Sequence, residues 1–262
     1  RIEAGGRAAA VWRVADIGRA TSMNGKTIVV LQSNYIPWKG YFDLMACADE
    51  FLLFDEVQYT KNDWRNRNRI VLNGKLHWLT VPVRTAGNFG AAIDQAEVSK
   101  PDWAQAHWNT LQQAYRDAPH FRSIAPRLEE DYRTTGALTR LSRINEHFLR
   151  SIAAQLGLGT TIMRADIVPR TTADPTERLV EICKARGATD YVSGPAAREY
   201  LKISAFRDAG IAVHFAMYAG YPTYAQGLAS FEHGVSIVDT LMQCGPDARG
   251  HLQAFERRAN FL

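Results

Sequence analysis

The segment 61–70, KNDWRNRNRI, contains the densest group of side chains that could bind an anion, because Lys61 and three arginines stand against a single acid. Arginine can donate two parallel hydrogen bonds to a phosphate or a carboxylate, so the cluster indicates an anion-binding site. In an extended strand, Arg65 and Arg67 would share one face, with Trp64 and Asn66 on the other. The alternative is a solvated edge strand whose charges prevent edge-to-edge pairing. The site residues predicted here are Lys61, placed among the catalytic residues, and Trp64, Arg65, Asn66 and Arg67, placed among those that bind substrate.

Polar side chains also follow two short hydrophobic runs, residues 28–31 and 51–54, whose composition is typical of buried strands. Apolar residues at helical spacing within 38–48 predict a helix between them. Because ligands bind at the carboxyl ends of strands in open parallel sheets, we predict the functional site at these two strand ends. Asp55, directly after the second run, is a candidate general base. The ligand-binding residues predicted here are Gln32, Tyr35, Trp38, Tyr41, Gln58 and Tyr59.

Two further candidates lie later in the chain. His107 falls on the apolar face of a helix that is predicted to begin after Asp102, where a histidine is either a hydrogen-bonded packing residue or an acid or base. Ser193 and Gly194 follow a predicted strand, and a glycine at such a turn lets a ligand approach the backbone amides. The segment lacks the flanking glycine of a G-x-S-x-G elbow, so Ser193 is only weakly supported as a nucleophile.

The elements that position these residues predict an α/β fold with a Rossmann-like parallel sheet. We expect a leader or extension at 1–22, a first α/β portion with a basic hairpin at 23–100, a helical insertion at 101–158, and a second α/β portion at 159–262 packed as one unit with the first. The hairpin is predicted from Asn73-Gly74, a dipeptide typical of tight turns, with its return strand near 77–83.

Composition limits the class of protein. The 262 residues are 46% hydrophobic, which is enough for a sizeable core, and no run approaches the roughly 20 apolar residues of a membrane span. We therefore expect a cytoplasmic protein without a membrane span.

The protein's three cysteines lack C-x-x-C spacing and its acids are scattered, so no metal is expected. The net charge of +4 suits an acidic partner, and because no nucleic-acid-binding motif is visible, a small anionic or phosphorylated ligand is the preferred partner.

Several separate motifs in order resemble the WbqC-like family from about residue 28 to residue 245. They are QSNYIPWKGYFDL, FDEVQYTKNDWRNRNRI, WLTVPV, TERLVEICKARGATDYVSGPAAREYL and FEHGVSIVDTLMQCGP. The resemblance implies a role in lipopolysaccharide O-antigen, other surface-polysaccharide or secondary-metabolite biosynthesis. His233-Gly234 departs from the bulkier pair expected before SIVD. A more distant similarity concerns residues 37–41, which are spaced like the H-x-G-H motif of nucleotidylyltransferases, with Trp38 and Tyr41 at the histidine positions.

Three hypotheses of function follow. The first is a transferase that moves an acyl or aminoacyl group to an amine of a sugar or related metabolite, with Asp55 or His107 as general base and Lys61, Arg65 and Arg67 binding phosphate. A nucleotide or a phosphopantetheine-linked donor would fit this site, and an acyl-carrier protein is then a possible partner. The second is a nucleotidylyl- or adenylyl-transfer enzyme. The third is a noncatalytic binding protein of a glycan assembly pathway.

Overall fold

The computed structural model describes residues 25–84 and 90–252, and the leader predicted at 1–22 lies outside this range. The described residues form seven strands and seven α-helices. The strands are β1 (Thr27–Leu31), β2 (Glu50–Leu53), β3 (Arg67–Leu72), β4 (Lys75–Thr80), β5 (Thr161–Arg164), β6 (Asp190–Ser193) and β7 (Ala212–Phe215). The helices are α1 (Lys39–Ala46), α2 (Trp103–Tyr115), α3 (Phe121–Gly136), α4 (Leu141–Gln155), α5 (Pro175–Ala185), α6 (Ile203–Asp208) and α7 (Ile237–Cys244).

Five strands form one parallel sheet in the order β5-β2-β1-β6-β7. The predicted α/β class with a Rossmann-like parallel sheet is therefore confirmed. The first two strands are neighbours in this sheet, because Val29 pairs with Phe51 and Leu31 with Leu53. The strand order reverses at β1, with β2 on one side and β6 on the other. Such a reversal opens a crevice at the carboxyl ends of the strands, where ligands of open α/β sheets bind.

Both faces of the sheet are covered, which explains the near-continuous hydrophobic character of its strands. On one face, Val29 of β1 packs into a large cluster that includes residues of α1, α2, α3, α4 and α7. On the other, Ile28 and Val30 pack with residues of α5 and α6. Because side chains alternate along a strand, this single short run contributes to both layers of the core.

Strands β3 and β4 form a separate antiparallel hairpin. Asn73 and Gly74 connect them, with φ angles of 52° and 70°. Two successive positive φ angles are what a type I′ turn requires, so the turn expected from this dipeptide is confirmed. The hairpin packs on the helical part of the chain through Ile70 and Leu79, which are buried in the large cluster.

Candidate functional site

Asp55 lies two residues after the end of β2, at the carboxyl edge of the sheet, and its carboxylate is nearly enclosed, with 5% of the residue exposed. The backbone N–H of Ser33, which follows β1, donates to Asp55 Oδ1 at 2.8 Å. Burial raises the pKa of Asp55 to about 6, against the hydrogen bonds from Ser33 and the charge of Arg164, which lower it. A carboxylate with such a pKa can accept and release a proton near neutral pH.

Tyr41 of α1 brings the ends of the first two strands together. Its hydroxyl donates to the backbone oxygen of Gln32 at 2.9 Å. Burial raises the pKa of Tyr41 well above its usual value, and the charge of Asp55 raises it further while the charge of Arg65 lowers it. Asp55 and Arg65 are therefore both within electrostatic reach of the Tyr41 hydroxyl. Of the predicted site residues, the structure brings Gln32, Tyr41, Asp55 and Arg65 together.

Two guanidinium groups border this edge. Arg65 pairs with Asp63 at 3.0 Å, and Arg164, at the end of β5, pairs with Asp166. The side-chain amide of Asn145 fixes the local backbone, since it donates to Ser33 Oγ at 3.1 Å and to the backbone oxygen of Arg65 at 2.9 Å. Each guanidinium thus forms an ion pair with a nearby carboxylate, and an anionic ligand would have to share or replace that carboxylate. The sheet edge thus combines a protonatable carboxylate with two cations.

The opposite side of the crevice is formed by the residues that follow β6 and β7. Ser193 is buried at the end of β6, and its backbone oxygen accepts from Ala216 N at 2.9 Å. Gly194 lies beside Tyr218, whose hydroxyl would stand 3.6 Å from a Cβ added at Gly194. The Trp38 indole contacts the Tyr218 ring edge-on, with 5.0 Å between ring centroids. Trp38 and Gly194 therefore border the crevice on the side away from Asp55.

Tyr35 and His107 are brought together, but inside the core and away from the sheet edge. The Tyr35 hydroxyl is 2.8 Å from His107 Nδ1 and 2.6 Å from the hydroxyl of Tyr132. Burial lowers the pKa of His107 to about 4, so its ring is neutral at neutral pH. This arrangement corresponds to the packing alternative for His107. The expected convergence of Tyr35 with Asp55 on one cleft is not observed, because the chain turns inward after β1.

The remaining predicted residues lie on or before the hairpin. Trp64 contacts Trp78 with 5.6 Å between ring centroids, and Arg67 stacks 4.2 Å above the Trp78 ring. The prediction that Trp64 shares a face with Asn66, opposite the arginines, is thus not met: Asn66 is buried and donates to Val81 O. The reason is a turn closed by the bond from Asn66 N to Asp63 O, so that the strand begins only at Arg67. Gln58 and Lys61 are exposed on this side, and Tyr59 is half-buried there.

Lys39 is a chemically unusual residue that the sequence analysis did not select. Only 2% of it is exposed, and its amine lies 5.1 to 5.5 Å from the ring centroids of Tyr221, Tyr224 and Phe231. The amine donates to Pro222 O at 3.1 Å. Burial lowers the pKa of Lys39 to about 8, although the neighbouring Cys244 and Asp239 raise it. The signal in the sequence was a lysine inside an apolar helical segment, followed much later by a run rich in tyrosine and phenylalanine.

Within residues 25–84 and 90–252, no group of histidine, cysteine and acidic side chains could hold a metal ion. None of the helices in the same ranges is both long enough and apolar enough to cross a membrane.

Comparison with known proteins identifies the family. The model of the WbqC-like protein family matches residues 32–251, which is most of the chain. The chain is also 43% identical over 229 residues to the uncharacterized protein Rv1507c of Mycobacterium tuberculosis, and the alignment covers 87% of this chain and 98% of that relative. No solved structure matches the chain. The chain therefore belongs to the WbqC-like protein family.

Proposed function

We propose that this protein is a transferase that moves an acyl or aminoacyl group to an amine of a sugar or related metabolite. The observation that supports this most directly is Asp55, a nearly enclosed carboxylate with a pKa of about 6 at the carboxyl edge of a parallel sheet. Strongly perturbed carboxylates in such positions are candidates for general acid–base catalysis. The neighbouring Arg65 and Arg164 suit a donor or acceptor that has a phosphate or carboxylate group.

The proposed reaction uses Asp55 as the general base. The amine nitrogen of the acceptor attacks the carbonyl carbon of a thioester donor, and the carbon–sulfur bond breaks. Asp55 takes one proton from the attacking nitrogen and passes it to the departing thiolate, so that the products are an amide and a free thiol. A phosphopantetheine-linked donor, either coenzyme A or an acyl-carrier protein, provides such a thioester. We place this reaction in the cytoplasm, in surface-glycan or natural-product biosynthesis.

A second candidate is nucleotidylyl or adenylyl transfer, which the Rossmann-like sheet and the spacing of residues 37–41 favour. In this chain Trp38 and Tyr41 stand at the histidine positions of that motif, and the Tyr41 hydroxyl is already bonded to Gln32 O. Neither side chain can become a cation that stabilises a transferring phosphoryl group. The third candidate, a noncatalytic binding protein, leaves the raised pKa of Asp55 without a role.

The test compares the purified protein with its Asp55→Asn variant. Acetyl-coenzyme A and UDP-glucosamine are the probes, and release of free thiol is measured with and without ATP. We expect ATP-independent thiol release that falls at least 100-fold in Asp55→Asn, the typical contribution of a general base. Asp117→Asn, which changes a highly exposed acid elsewhere, is the matched control and should keep full activity. ATP-dependent release of pyrophosphate would instead support the second candidate, and ligand binding without turnover the third.

A further inference from the structure

A pocket of about 230 Å³ opens between the segment after β1, the start of the hairpin and the loop before α7. It is separate from Asp55 but shares Trp38 with the crevice at the sheet edge. Ligand pockets commonly occupy about 300 to 1,000 Å³, so a pocket of this size fits one ring rather than a whole cofactor. Its lining includes Asn34, Trp38, Trp64, Asn68, Arg69 and Gly234.

Aromatic and cationic groups lie on one side of this pocket: Trp64 and Arg69 line it, and Trp78 and Arg67 pack beside them. Trp64 and Trp78 are large hydrophobic residues that remain about 40% exposed. The guanidinium of Arg69 lies 5.9 Å from the Trp64 ring centroid and 5.7 Å from that of Trp78, and Arg67 follows at 4.2 Å from Trp78. Exposed indoles of this kind cost free energy in water, and they favour stacking against a flat ligand ring.

Two polar atoms of lining residues lack hydrogen-bond partners in the described part of the chain: the acceptor Asn34 Oδ1 and the donor Arg69 Nε. Asn68 is different, because its amide nitrogen donates to Ile36 O at 3.0 Å and its oxygen accepts from Arg69 N at 2.8 Å. The outer nitrogens of Arg69 are also engaged, one of them donating to Gly234 O at 2.9 Å. Both atoms are buried, and a buried unpaired donor or acceptor is unfavourable, so a ligand gains affinity if small side-chain movements bring it within reach of both.

We propose that this pocket binds the nucleobase of a nucleoside phosphate. Uracil, cytosine, adenine and guanine all have a hydrogen-bond donor and an acceptor at adjacent ring positions, which suits Asn34 Oδ1 and Arg69 Nε. All four present a flat π-face to Trp38 and Trp64, and stacking on an aromatic side chain tolerates any base. Arg67 binds the phosphate of the nucleotide in this proposal. Within the described residues its guanidinium stacks on Trp78 and has no carboxylate partner, so it is available to an anion.

The pocket would be a binding subsite for a substrate of the proposed reaction. It rests on the proposed function in one respect, namely that the nucleotide belongs to a donor or acceptor that reacts at the sheet edge. Binding itself does not require turnover. Asp55→Asn should therefore abolish thiol release while leaving nucleotide affinity unchanged. If nucleotides bind but no acyl group is transferred, the proposed function fails and the pocket assignment stands.

The experiment is calorimetric titration of the full chain with UMP, CMP, AMP and GMP, beside ribose 5-phosphate and methyl glucopyranoside. We expect at least one of the four nucleotides to bind, and to bind at least tenfold more tightly than ribose 5-phosphate. Trp64→Ala should weaken that binding about tenfold or more, and Trp64→Phe should restore most of it because a stacking ring is retained. Leu76→Ala, which removes another exposed apolar side chain of the same hairpin, should bind like the unchanged protein.

Arg67→Met separates the base from the phosphate. It should weaken binding of the nucleotide but not of the corresponding free nucleoside. Three results would overturn the proposal: no binding of any of the four nucleotides at millimolar concentration, equal binding of ribose 5-phosphate, or equally tight binding of methyl glucopyranoside with the same dependence on Trp64. The last result would assign the pocket to a sugar ring.

Discussion

Asp55 is buried at the end of a strand. Burial of its carboxylate lowers the stability of the fold, but it also gives the carboxylate a pKa that suits proton transfer. Its enclosed carboxylate is costly to ionise, which is why its pKa rises to about 6. The same cost produces a base that is poised near neutral pH. Residues that destabilise a fold while serving its chemistry are common in active sites, so under the proposed function replacement of Asp55 is expected to stabilise the protein and to remove the proposed activity.

The difference in stability between the wild type and Asp55→Asn should depend on pH in a defined window. The native pKa of Asp55 lies above that of an unfolded aspartate, so the native state binds the proton more tightly and wild-type stability falls as pH rises from about 4 to about 6. The asparagine side chain of the variant cannot titrate. Urea unfolding should show the variant gaining on the wild type through this window, by on the order of 2 kcal/mol at pH 7. A difference that does not change between pH 4 and pH 7 would contradict the raised pKa.

The contribution of Lys39 to stability should change with pH in the opposite direction. Burial lowers its pKa to about 8, below that of an unfolded lysine, so the unfolded state binds more protons between about pH 8 and pH 10. Wild-type stability, measured relative to Lys39→Met, should therefore rise through this range as the amine loses its charge in the folded state. Thermal melts of the two proteins at pH 7, 8, 9 and 10 test this. A constant difference would mean that burial does not lower the pKa of the amine.

The sequence identified some residues of the candidate site because a strand end needs only local information. Asp55 and Gln32 follow hydrophobic runs, and the parallel pairing of those runs places both at one edge. The sequence could not show that His107 and Tyr35 lie outside the site. Their contact joins residues 72 positions apart, and only the packing of α2 against the segment after β1 shows that both side chains point into the core.

Helix α1 depends on a close contact that its sequence does not reveal. The Trp38 indole lies over Gly40, and a Cβ at Gly40 would stand 2.2 Å from Trp38 Cζ2. Gly40 has an ordinary helical backbone, in which alanine normally forms helix better than glycine. Its role is therefore to leave room for the indole that borders both the crevice and the 230 Å³ pocket.

Gly40→Ala should displace this indole. We expect a loss of about 1 to 3 kcal/mol of stability, the usual cost of overpacking, together with a change in tryptophan fluorescence. Gly159→Ala is the matched control, since a Cβ there meets no atom within 4 Å, and it should be neutral or slightly stabilising. The double variant Trp38→Ala/Gly40→Ala should recover most of the penalty specific to Gly40→Ala. Full additivity of the two single changes would exclude the contact as the cause.

Some helices are easier to predict from the sequence than others, because their compositions differ. The N-terminus of α5 has a clear local signal, because the carboxylate of Asp174 accepts from the backbone N–H groups of Thr176 and Glu177. Helix α3 lies within the insertion that was predicted to be helical, but its own residues were not singled out as a helix. It contains Pro126 in its interior, and much of its surface is polar, so propensity argues against a helix that packing nevertheless stabilises.

Across the whole molecule, the sheet is assembled from distant parts of the chain. Strands β1 and β2 come from the first α/β portion and β5, β6 and β7 from the last, with the hairpin and helices α2 to α4 between them. The class of fold could be predicted because each strand and crossover is locally coded. The contacts between these distant parts of the chain could not be predicted, because they join residues separated by more than 100 positions.

Arg178 of α5 makes the most extensive of these contacts. Only 1% of its side chain is exposed. Its guanidinium binds both carboxylate oxygens of Glu56, which follows β2, at 2.8 and 3.1 Å. It also donates to the backbone oxygens of Val168 at 2.7 Å and Pro169 at 3.1 Å, in the segment after β5. One side chain therefore joins the loop beside Asp55 to two elements of the last α/β portion.

Arg178→Met should destabilise the protein by about 3 to 5 kcal/mol, because it leaves two carboxylates, those of Glu56 and Glu181, and three carbonyl oxygens without this donor. Arg186→Met is the matched control. Arg186 follows the same helix and binds both oxygens of Glu50 at 2.8 and 2.9 Å, but 30% of its side chain is exposed. Solvent screening should limit its loss to about 1 kcal/mol. Urea unfolding of both variants measures the difference, and equal losses would show that burial does not set the strength of these pairs.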